Sequence, residues 1–98
     1  MGDLSRRWAA FRSREFPAGV EAEAGGVDLT ILQSCAAGCI DAYLKTKLLD
    51  VPDREILRVC AQQLDEVIPA LSGEARAHFA ELRALAHRVL AKTGKDKQ

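Results

Sequence analysis

From Asp28 onward the apolar residues recur at alternating spacings of three and four, the period of a helix that buries one stripe. Leu29, Leu32, Ala36, Cys39 and Tyr43 make the first seam. Leu57, Cys60, Leu64, Val67 and Leu71 make the second, and Ala75, Phe79, Leu82, Ala86 and Val89 the third. Breaks fall at Asp50-Val51-Pro52 and at Pro69-Ala70-Leu71-Ser72-Gly73. Asp28 and Ser72 are suited to cap the helices that follow them, because a side-chain oxygen there accepts from the free N–H groups of the first turn. Pro52 is tolerated in a first helical turn, with Asp53 and Glu55 near the positive end of the dipole. Pro69 disfavours helical backbone at Ile68, and Gly94 stands where a helix commonly stops. No segment alternates apolar and polar residues over strand length, and Ala and Leu outnumber Val, Ile and Thr. The pattern predicts an all-α chain with an antiparallel three-helix core over residues 28–92 and a polar tail over 93–98.

The helix that starts at Asp28 is apolar well beyond its seam. Ile31, Cys35, Ile40, Ala42 and Leu44 widen the face until only a strip of Thr30, Gln33, Ser34, Asp41 and Lys45 remains polar. Such a helix must be covered on more than one side. Residues 1–16 offer a cover: Leu4, Trp8 and Phe11 recur at i, i+4 and i+7, with Phe16 just beyond. An amphipathic N-terminal helix, joined through a Gly/Glu-rich linker over 17–27, then completes a small antiparallel four-helix bundle. Exchange of that helix between two copies, giving a homodimer, is the alternative packing.

Charge and length narrow the class. Ninety-eight residues make one domain, and 14 Lys plus Arg cancel 14 Asp plus Glu. A balanced chain is not expected to take nucleic acid as a partner. Arg6, Arg7, Arg12 and Arg14 interleave with Trp8 and Phe11, a pattern that would suit a membrane surface or a single strand, but a solvated face opposite a docked apolar stripe accounts for it. No apolar run reaches the ~20 residues of a transmembrane segment, and the opening Met-Gly-Asp-Leu-Ser-Arg-Arg lacks the apolar core of a signal peptide. Three cysteines without framework spacing read as reduced thiols in a cytoplasm.

Those cysteines hold the chemistry worth weighing. Cys35 and Cys39 share one helical face at i, i+4. If the first two core helices form a hairpin turning near residue 50, Cys39 comes level with Cys60, and His78 lies about a turn away. Cys35, Cys39, Cys60 and His78 would then make a Cys₃His set for zinc, or a thiolate site for copper. Set against that, cysteine in a core behaves as a small hydrophobe. The pairs Glu74–His78, Arg83–His87 and Asp41–Lys45 read as local surface partners along single helices. No nucleophile–base constellation, carboxylate cluster or glycine-rich phosphate loop is assembled.

Gly38 stands inside a helical stretch, where it costs about 1 kcal/mol against alanine. With Ser34 and Ala42 it forms a small-residue stripe across which the Trp8/Phe11 segment could pack closely. The expectation is a small non-catalytic interaction or regulatory module. It would contact an unknown protein partner, or a second copy, through Trp8, Phe11, Ser34 and Gly38. A thiol-based metal-binding or redox-sensing bundle is the second reading.

Overall fold

Each of the four apolar stripes becomes a helix. The computed structural model describes residues 2–14, 23–24 and 26–94; Met1, Phe16, most of the 17–27 linker and tail residues 95–98 lie outside the described residues. Helix α1 spans Asp3–Arg12, α2 Leu29–Thr46, α3 Val51–Val67 and α4 Gly73–Gly94, with a 3₁₀ turn over Ile68–Ala70 between the last two. The chain is an all-α bundle of four mutually packed helices. The one departure from helix is a two-residue antiparallel pairing, β1 Glu23–Ala24 with β2 Val27–Asp28, which turns through Gly26 at φ +80°. So short a ladder carries no alternating pattern for a sequence reading to find.

The signals at the helix ends act as their chemistry requires at Asp28 and Pro52, but not at Pro69, where Ile68 keeps helical backbone (φ −56°, ψ −41°). The Asp28 carboxylate accepts from the Ile31 N–H at 3.1 Å. Helix α2 closes early, at Thr46, where Lys47 takes left-handed backbone (φ 64°) and donates its N–H to the Tyr43 carbonyl at 2.6 Å. Pro52 sits in the first turn of α3. The Pro69 break is softened into the 3₁₀ turn, which keeps Ile68 buried. Helix α4 runs to Gly94, past the boundary read at 92, because Thr93 is buried and its hydroxyl donates to the Leu90 carbonyl at 3.1 Å.

The core takes every helix. Leu29, Ile40, Leu57, Leu64, Phe79, Leu82, Leu85 and Val89 are fully buried, and α2, α3 and α4 pack on one another around them. Helix α1 inserts Leu4, Trp8 and Phe11, all nearly sealed from solvent, into the same core. Polar bonds then fasten it along both edges. The Arg7 guanidinium grips Glu81 of α4 through two hydrogen bonds at 3.1 and 2.9 Å, and Arg88 meets Asp3 at 3.5 Å. On the other edge the Trp8 indole N–H donates to Asp41 of α2 at 2.6 Å, and Arg12 pairs with the second oxygen of the same carboxylate. Within one chain, then, the N-terminal helix packs mainly against α4 and is tied to α2 through Asp41, while Ile31 and Cys35 of the wide apolar flank of α2 stay exposed. The arginines expected to face solvent include two, Arg7 and Arg12, that serve this docking.

Candidate functional site

The residues singled out from the sequence separate into two neighbourhoods on opposite flanks of α2. On the α1 flank stands His78 of α4, 4 % exposed. Its Nε2 lies 2.7 Å from the Gln33 side-chain oxygen. Its ring is sandwiched between Phe11, at 4.6 Å and tilted, and Phe79, at 4.9 Å and edge-on. Gln33, taken from sequence as part of a solvated strip, is thereby the polar partner that permits a histidine in the core, since a buried imidazole without one would be costly. Burial, assisted by the nearby Arg14 charge, holds the His78 imidazole below its ordinary range. The folded state therefore prefers the neutral ring, and the unfolded chain binds a proton more readily. That contribution to stability is present above the unfolded pKa of about 6.5 and is lost as the pH falls below it. Urea titrations are expected to show the unfolding free energy declining through that window, and His78→Gln should flatten the slope there.

On the α3 flank lie the thiols. Cys39 is buried and its thiol donates to the Asp53 carbonyl at 3.4 Å. Cys60 is also buried, whereas Cys35 is exposed. Cys35 and Cys60 line one open cleft of about 230 Å³ with Ile31, Leu32 and Gln63. Desolvation, then the neighbouring Cys35 and Cys39, pushes the Cys60 thiol up to about 11. Cys39 is raised as well, by burial first and then by Asp53 and Cys35. Both buried thiols are accordingly held protonated near neutrality, the reverse of what a cysteine nucleophile needs.

This arrangement corrects the four-ligand metal set. His78 is engaged on the far flank with Gln33, and among the described residues no group of three or more His, Cys, Asp or Glu side chains could hold a metal ion. The three thiols are neighbours, as the hairpin reading expected, with Cys35 and Cys39 both acting on Cys60. Because α2 ends at Thr46, the turn centres before residue 50, and Cys60 faces the cleft of Cys35 while Cys39 reaches Asp53.

The small-residue stripe is corrected too. Gly38 and Ser34 are exposed, and a Cβ placed on Gly38 would meet nothing within 4 Å, so the Trp8/Phe11 segment does not lie across it. Trp8 and Phe11 are instead buried, with their rings stacked at 5.5 Å, and present no contact surface. Gly38 and Ala42 border an open cleft of about 540 Å³ that extends to Leu48 and Asp53 at the α2–α3 turn. What the sequence reading missed is the exposed apolar set. Ile31, Leu48, Val51, Ile56 and Val59 are 45 to 70 % exposed, and all belong to α2, α3 or the turn between them. Ile31 belongs to the wide apolar face of α2, yet it is exposed; nothing in the helical period distinguishes the covered flank of a broad stripe from the bare one.

Comparison with known proteins finds no matching family model, no significantly similar curated protein and no similar solved structure. The site must be read from its own chemistry. No helix among the described residues is long and apolar enough to cross a membrane.

Proposed function

We propose that the chain is a small non-catalytic interaction module, acting in the cytoplasm, that binds a protein partner through the outer face of the α2–α3 hairpin. One observation carries the reading: the large apolar side chains left in water among the described residues are concentrated on that hairpin. Exposed apolar groups clustered on one element are a common mark of protein contact surfaces. A partner offering a complementary apolar helical face fits this surface, and a second copy of the chain is one such partner. Balanced charge keeps nucleic acid out of the proposal. The non-catalytic part rests on the buried thiols being held protonated and on His78 being engaged by Gln33.

The double substitution Ile56→Glu with Val59→Glu tests it. Both positions are about half exposed, so the fold is expected to keep its melting temperature within a few degrees. Sedimentation velocity across about a hundredfold range of concentration would register self-association of the parent chain and its loss in the variant. A variant that melts as a core truncation does would show that the chain itself covers this face, and the proposal would fail.

A further inference from the structure

We propose that Cys35 and Cys60 form a two-electron thiol site, in which the exposed Cys35 is oxidised by a peroxide and the buried Cys60 resolves it to a disulfide that joins α2 to α3. The geometry assigns the roles. Cys35 is the thiol open to solvent, Cys60 is 4 % exposed, and both line the same cleft between the first half of α2 and the second half of α3. Cys39 neighbours both thiols but does not line the cleft they share, and its own thiol donates to the Asp53 carbonyl. A disulfide between Cys35 and Cys39 is disfavoured, because neighbouring turns of one regular helix do not present the required Cβ geometry.

The chemistry balances with the peroxide named as oxidant. The Cys35 thiolate attacks one peroxide oxygen; the S–O bond forms, the O–O bond breaks, and the leaving hydroxide takes a proton to become water. The Cys60 sulfur, losing its proton, then attacks the Cys35 sulfur; the S–S bond forms, the S–O bond breaks, and a second water leaves. Two thiols and hydrogen peroxide give one disulfide and two waters, with two electrons passing from sulfur to oxygen. Burial first, and then the adjacent thiols, keep Cys60 protonated near neutrality, so the buried partner is not itself the point of peroxide attack, and as resolving thiol it gives its proton to the hydroxide leaving Cys35. Exposed attacking cysteines set next to a resolving thiol are the arrangement found in redox sensors. The inference is independent of the partner-binding reading, since it concerns one chain alone.

The experiment treats the reduced full chain with hydrogen peroxide under native conditions, alkylates the remaining thiols, and maps the product by non-reducing peptide mass spectrometry. The expected result is a monomer lighter by about 2 Da carrying a Cys35–Cys60 linked peptide, with Cys39 alkylated only after denaturation. Cys39→Ser should close the same bond, and Cys35→Ser should not react. Cys60→Ser should stop at a Cys35 sulfenic acid, about 16 Da heavier, that a dimedone probe captures. Further oxidation of Cys35 in the parent chain without a cross-link, or dimers linked through Cys35, would overturn the assignment. The parent chain is read directly, so the outcome does not depend on how well the Cys60 variant folds.

Discussion

Replacing Phe79 by alanine is expected to lower the unfolding free energy by about 3–5 kcal/mol, measured by urea denaturation. Phe79 is fully buried in the first half of α4, and its ring and that of His78 meet edge-to-face at 4.9 Å. Truncation opens a cavity where α4 meets the other helices, and it strips one aromatic wall from a histidine that the fold must keep dry. A domain of this length has only about 5–15 kcal/mol to lose, so the variant is left marginal. Phe79→Leu, which retains most of the volume, should cost less than half as much. Equal losses for the two substitutions would mean that the ring's shape and its contact with His78, not buried volume, account for the effect.

The second large effect is at Trp8. Trp8→Ala is expected to lose about 3–5 kcal/mol, because an almost fully buried indole is withdrawn from the contact between α1 and α2. Trp8→Phe separates the two parts of that loss. Phenylalanine keeps much of the apolar area and the stack on Phe11 but has no N–H for Asp41, so it should cost about 1.5–3 kcal/mol, the range for a hydrogen bond to a charged group. Arg12 would retain its own pairing with the carboxylate. Thermal and urea unfolding followed by circular dichroism would rank the variants. A phenylalanine variant as unstable as the alanine one would show that the Asp41 bond, not the ring, seats the helix.

How much of this was legible beforehand depends on whether the information was local. The seams Leu29–Leu32–Ala36–Cys39 and Leu57–Cys60–Leu64–Val67 become buried faces because apolar period alone decides which side of a helix must leave water. Capping by Asp28 and docking of the Leu4–Trp8–Phe11 stripe follow from equally local rules. Polar partners behave differently. His78 turns to Gln33 rather than Glu74, Asp41 to Trp8 and Arg12 rather than Lys45, and Arg83 and His87 both meet Asp65 of α3. Each local pair at i, i+4 is worth only a few tenths of a kcal/mol, and a partner on a neighbouring helix displaces it once the helices are placed. Neither the rotation of α2 about its own axis nor the point where its turn closes can be read from spacing. That is why Ile31 and Gly38 are found on the bare side.

The indole of Trp8 has a spectroscopic consequence. It is the chain's sole tryptophan, and its N–H rests on the Asp41 carboxylate at the seam between α1 and α2. Its emission therefore senses the seating of one ten-residue helix rather than the whole fold. A shift toward longer wavelength at constant helical content would mark α1 lifting from an otherwise intact bundle, so the protein carries a built-in optical gauge of its own N-terminal docking.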